Sequence, residues 1–132
     1  MKYDVAIAGG GLAGLSLSIQ LANKGYKTIL FEKEQYPFHK VCGEYISMES
    51  WDFLDGLGLD LMSMDLPKIS RLQVSGVSGK LLKQDLPLGG FGISRYLLDH
   101  KLSIIAKATG VELKESASVN DIQFINEEFQ IS

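Results

Sequence analysis

An α/β fold, built as a βαβ unit with parallel core strands and an inserted antiparallel hairpin, is what this sequence predicts. Three observations carry that prediction. Tyr3 to Ala8 alternates small and β-branched apolar residues and stops abruptly at glycine. From Leu12 onward apolar residues recur at helical spacing. Between residues 69 and 86 two alternating runs flank Gly76-Val77-Ser78-Gly79, a turn sequence suited to a hairpin.

In chain order, Tyr3 to Ala8 reads as a short buried strand. Leu12, Leu15, Ile19 and Ala22 form one helical stripe, widened by Leu17 and Leu21, and Gly25 stands where a helix C-terminal glycine belongs. Lys27 to Phe31 is a second apolar run, closed by Glu32-Lys33-Glu34. Strand, glycine turn, helix and strand span about thirty residues, the size of one βαβ unit. Residues 35 to 46 hold proline and glycine without a sustained period and read as a loop. Ser47 offers an N-cap for a short helix to about Asp55, with Trp51, Phe53 and Leu54 as its expected core side chains. Ile69 to Ser75 and Lys80 to Leu86 are the hairpin strands, and glycine-rich Pro87 to Ser94 is expected to be a flexible connector. Ser94 then caps a helix to about Thr109, with Leu98, Leu102 and Ile105 on one face and Gly110 as its stop. Val111 to Glu115 follows as a third core strand. Ser118 to Ser132 alternates again, as an incomplete strand region at the C-terminus.

Composition narrows the function classes. The 132 residues are 45% hydrophobic and 22% charged, an ordinary globular balance that fits one domain. Thirteen basic residues lie scattered among 16 acidic ones, for a net charge of −3, so no basic cluster suited to nucleic acid forms. The single cysteine, Cys42, excludes an intrachain disulfide and a site of several thiolates, and a reducing, cytoplasmic setting is expected. His39 and His100 are too few and too far apart to suggest a metal. The apolar N-terminus is broken by Gly9, Gly10 and Gly11, which argues against both a signal peptide and a membrane span.

The glycine turn carries the chemistry. Gly9-x-Gly11-x-x-Gly14 follows a strand, opens a helix, and precedes an acidic residue, Glu32, 18 positions beyond Gly14 at the end of the next strand. Gly9 permits the tight turn, Gly11 lets a pyrophosphate approach the backbone, and Gly14 lets helix and strand pack closely. The helix N-terminus offers N–H groups and the positive end of its dipole to phosphates. A carboxylate near that pocket would repel a diphosphate, which accounts for the absence of acidic side chains from residue 5 to residue 31. Glu32 stands where it can accept hydrogen bonds from ribose hydroxyls, and it argues against a 2′-phosphorylated cofactor.

Asp4 to Lys33 resembles the N-terminal adenine-dinucleotide unit of flavoproteins. Tyr36 to Ser47, with a proline, a basic residue and Cys42-Gly43, resembles the geranylgeranyl reductase family, within the larger group of flavin oxidoreductases shaped like para-hydroxybenzoate hydroxylase. Gly92 to Leu113 is similar to that group's segment in which an arginine opens a helix leading to the third strand. The resemblance implies a Rossmann-like FAD-binding fold. It assigns the phosphates to the backbone of Gly9, Gly11, Leu12, Ala13 and Gly14, and the adenosine ribose to Glu32 with Lys33 beside it. It sets Lys40, Cys42 and Gly43 near the ribityl chain and flavin ring, and Arg95 near the ribityl and phosphate groups. Val119 would meet adenine through its main chain. No catalytic residue is implied. The parent reaction would be reduction of an isoprenoid-like double bond or flavin-dependent oxygenation, with NAD(P)H as reductant and a small or lipid-like substrate.

Members of that group are much longer, and their later part carries a Gly-Asp motif that this chain lacks. The expectation is therefore one truncated FAD-binding domain over residues 1–132, inactive alone, with hairpin 69–86 belonging to the substrate-side sheet. Truncated strand edges would promote self-association, around residues 118 to 132 above all. The rivals are a nicotinamide-dependent dehydrogenase fragment and a non-catalytic dinucleotide-binding module. The first leaves Pro37 to Glu44 unexplained; the second would bind nucleotide and show no redox activity.

Overall fold

The computed structural model describes residues 2–132. Its elements, in chain order, are β1 (Val5–Ala8), α1 (Leu12–Asn23), β2 (Thr28–Phe31), β3 (Tyr45–Ser47), α2 (Trp51–Gly56), β4 (Lys68–Ser75), β5 (Leu81–Gly92), α3 (Arg95–Ala108), β6 (Glu112–Lys114), β7 (Ile122–Ile125) and β8 (Glu128–Ile131). They fall into two compact units, one made by residues up to 39 together with 96–132, the other by 40–95.

The first unit is the βαβ core that the glycine turn demands. β1, β2 and β6 form a parallel sheet in the order β1-β2-β6, with Val5 opposite Thr28 and Phe31 opposite Lys114. Such parallel strands need a crossover helix between them, and α1 supplies the first. All of β2 up to Leu30 is buried, as expected of a strand covered on both faces. Leu15 and Ile19 of α1 and Leu98, Leu102 and Ala106 of α3 are fully buried. Each of these leucine and isoleucine side chains contributes about 1.5–3 kcal/mol of transfer free energy. On α1 the buried face differs from the predicted stripe. Ser16 and Ser18 are buried while Leu17 is 46% exposed. Serine is small enough to let the helix lie close, and Ser18 satisfies its hydroxyl by donating to Leu15 O at 2.8 Å. β7 and β8 make a separate antiparallel hairpin.

The second unit is an antiparallel sheet in the order β3-β5-β4. Two expectations are corrected here. Residues 35 to 46 do not stay irregular to the end: β3 begins at Tyr45 and pairs with the far end of β5. Pro87 to Gly92 is not a connector but the second half of β5, which runs twelve residues. The glycines there serve packing. A Cβ at Gly90 would run into Ile46 O and the Tyr45 ring, and one at Gly92 would crowd Pro67. Gly89, at φ +70°, sits at the register shift between Ile69 and Arg71. Phe91 is fully buried and meets Trp51 edge-on at 5.1 Å. Leu54 is buried as expected, but Phe53 is 47% exposed, because α2 turns only one narrow face inward. Ser47 caps a short 3-10 turn, Met48–Ser50, that leads into α2.

Candidate functional site

The site grows from the junction of β1 and α1. Gly9 adopts φ +104°, a conformation only glycine takes without strain, and its N–H donates to Phe31 O at 2.8 Å. Gly14 lies in the first turn of α1, where an added Cβ would run into Gly9 O. Helix and turn therefore touch backbone to backbone, as the spacing predicted. Gly11 is the N-cap residue, with no side-chain cap on α1 and no acidic residue in its first turn. The N–H groups of Leu12, Ala13 and Gly14 precede the first intrahelical bond, Leu15 N–H to Gly11 O at 2.9 Å. They present the positive end of the dipole to whatever lies before the helix.

Glu32 closes the other side. It is only 5% exposed, and a buried carboxylate needs donors. Its Oε2 accepts the Gly10 N–H at 2.8 Å, and its Oε1 accepts the Glu34 N–H at 3.0 Å. Each oxygen has two acceptor positions, so capacity remains for a pair of hydroxyls. Lys33 is exposed beside it. The segment after β6 is tied to the same turn: Ala117 N–H donates to Glu32 O at 2.9 Å and Ser116 N–H to Glu34 O at 3.2 Å. That places half-buried Val119 two residues from the acidic turn.

Four residues of the site gave no signal in the sequence. Gly10 has no room for a side chain, since a Cβ would meet the Tyr36 hydroxyl and stand 2.9 Å from Glu32 Cβ. Tyr36 is 8% exposed, and its hydroxyl donates to Gly10 O. The Tyr36 N–H in turn donates to Glu115 Oε1 at 2.9 Å, and Lys107 Nζ donates to Glu115 Oε2 at 2.6 Å. Burial alone would raise the Glu115 pKa. The Lys107 ammonium and the Tyr36 N–H outweigh it and hold the carboxyl below its ordinary value. A tyrosine in an aperiodic stretch gave no signal, although the Tyr36-Pro37 step is marked by proline.

The remaining predicted residues lie in the second unit. Lys40 is half-buried, while Cys42 and Gly43 are exposed, Cys42 as a free thiol. Glu44 adopts φ +58°, and its N–H reaches Cys42 Sγ at 3.4 Å. Arg95 is half-buried and is the first residue of α3.

The first unit's donor set fits an adenine dinucleotide. Uncapped backbone N–H groups suit a diphosphate, and a buried acid with spare acceptor positions suits a ribose. Comparison with known proteins agrees. The sequence pattern described as the FAD binding domain matches residues 2–125. Conditioned medium factor receptor 1 of Dictyostelium discoideum is 32% identical over 92% of this chain and 27% of its own length. Digeranylgeranylglycerophospholipid reductase of Sulfolobus acidocaldarius is 30% identical over 86% of this chain and 25% of its own. The chain thus spans about a quarter of the length of these curated relatives. Among solved structures, a flavin-dependent brominase superposes with a TM-score of 0.78 at 26% identity, over 96% of this chain and 32% of that one. A geranylgeranyl bacteriochlorophyll reductase-like protein of Thermoplasma acidophilum shares the fold, with a TM-score of 0.75 at 20% identity over 98% and 36%. Because the matched pattern runs through both the glycine turn and the Glu32 strand end and takes in nearly every residue, the chain belongs to the FAD-binding domain family of flavin-dependent oxidoreductases, and its cofactor is FAD.

Proposed function

We propose that this chain holds the ADP half of FAD on its first unit and performs no turnover by itself. The observation that carries this reading is the buried Glu32 carboxylate gripping the Gly10 N–H directly beside the uncapped start of α1. In detail, the N–H groups of Gly11, Leu12, Ala13 and Gly14 take the diphosphate. Glu32 takes the ribose hydroxyls with Lys33 alongside, and the main chain at Val119 faces adenine. Lys40, Cys42 and Gly43 are assigned to the ribityl chain and flavin ring, and Arg95 to the ribityl and phosphate groups, on the family resemblance alone.

When bound, FAD supplies hydride and electron transfer, and the protein's part is to bind and orient it. The whole protein's reaction would be reduction of an isoprenoid-like double bond or flavin-dependent oxygenation, with NAD(P)H restoring reduced flavin and a small or lipid-like molecule as substrate. The reductase branch is favoured by the Pro37 to Gly43 segment and by the 30% identity to a protein named as a lipid reductase. No helix of the described residues is long and apolar enough to cross a membrane. A cytoplasmic setting and self-association through the exposed hairpins belong to the same proposal.

Isothermal titration with ADP and with FAD tests it. Binding of both, with added NADPH or NADH leaving the flavin oxidised, is the expected result. Heat from neither ligand would remove the binding assignment, and sustained flavin reduction would remove the claim of inactivity. Heat from NAD but none from FAD would favour the dehydrogenase rival.

A further inference from the structure

We infer that Tyr36 is a positioning residue for the diphosphate site, acting through the Gly10–Gly11 peptide; this rests on the reading of the glycine turn given above. Gly10 is held at both its polar groups. Its N–H goes to Glu32 Oε2 at 2.8 Å and its carbonyl accepts from the Tyr36 hydroxyl. The only cis peptide among the described residues is Tyr36-Pro37, so the Gly10–Gly11 peptide is trans. In a planar trans peptide the C=O and the next N–H point in opposite directions. Turning the Gly10 carbonyl inward to Tyr36 therefore turns the Gly11 N–H away from it, toward the approach to α1. That N–H joins those of Leu12, Ala13 and Gly14 as a donor to an anion.

Without the tyrosine hydroxyl, the Gly10 carbonyl loses its hydrogen bond, and the peptide it belongs to joins two glycines, the residues with the widest backbone freedom. A rotated peptide presents a carbonyl oxygen to the diphosphate in place of a donor. Tyr36 is itself fixed from behind. Its N–H is bound to Glu115, its ring lies 5.4 Å from that of Phe38, and 8% of it is exposed. The tyrosine is thus held by the protein's own contacts, to Glu115 and Phe38, and not by the nucleotide.

Tyr36→Phe removes one oxygen and keeps the packing. Titration with ADP and with adenosine separates positioning from general support of the fold. Loss of one buried hydrogen bond corresponds to about tenfold weaker ADP binding. Adenosine, which lacks phosphates, should bind the variant as it binds the parent chain. Equal loss for both ligands, or no loss for ADP, overturns the inference. A measurement needing neither ligand nor variant stands beside it: in the parent chain the Tyr36 hydroxyl proton should exchange slowly enough to give its own NMR signal. A rapidly exchanging hydroxyl overturns the inference whether or not the chain binds nucleotide, so its failure and that of the FAD-site reading are told apart.

Discussion

Glu115 joins two elements through one side chain, with Lys107 on one oxygen and the Tyr36 N–H on the other. Its pKa, held low against the opposing effect of burial, has a definite consequence for pH. A carboxyl depressed in the folded state adds stability above its unfolded value, and that contribution disappears as pH falls through the folded one. Glu115→Gln should therefore lower stability by about 0.5–1 kcal/mol at about pH 6, a size set by the solvent-exposed Lys107 partner. The gap to the parent chain should narrow at lower pH, as the parent's carboxyl takes up its proton. Urea denaturation over that pH range reads it; a gap that widens in acid would contradict the assignment. At this scale Gly9 and Gly14 were legible, because a left-handed turn at one and a backbone contact at the other dictate glycine locally. Gly10 and Tyr36 were not, because the pair exists only once residues 26 positions apart are folded together.

β5 shows how a local rule can mislead. Three glycines between residues 89 and 92 read as flexibility, yet each lies in a strand, and two of them make room for neighbours on β3 and before β4. The strand's anchor is Phe91, buried against Trp51, the only tryptophan in the chain. Phe91→Ala should destabilise the second unit by about 3–5 kcal/mol. Trp51 emission reports that unit selectively, so its transition should move to lower urea while ADP affinity, proposed for the first unit, holds. Loss of ADP binding together with the Trp51 signal would mean that the two units unfold as one. The helices were legible to within a residue or two from their glycine stops. On α1 the periodicity alone could not tell that Ser16 and Ser18, and not Leu17, are buried.

Seen whole, the molecule leaves several apolar faces to solvent. Ile122, Phe124, Phe129 and Ile131 share one face of the β7–β8 hairpin, and the first three are 53, 63 and 72% exposed. Ala6, Ile29 and Phe31 join Ile122, Phe129 and Ile131 around a cleft of about 800 Å³. On the other hairpin Leu72, Val74 and Leu82 lie on one face, opposite the Arg71–Asp85 pair. Contiguous apolar surface of this kind drives association. Light scattering should show a mass that rises with concentration, and the double change Phe124→Lys and Phe129→Lys should return it to that of one chain. A constant single-chain mass in the parent protein would refute this. The parallel core and the 69–86 hairpin were legible from periodicity, and the alternation after residue 118 showed strand without showing a hairpin, whereas the division into two units was not legible, since no linker-like composition marks residues 39–40 or 95–96.

The two main-chain bonds from Ser116 and Ala117 to the turn at Glu32 and Glu34 have a broader consequence. They tie the sugar end and the base end of the proposed nucleotide cleft together, although more than eighty residues separate them along the chain. Selection acting on one end inherits the other, so sugar preference and base preference are not independent dials in this architecture.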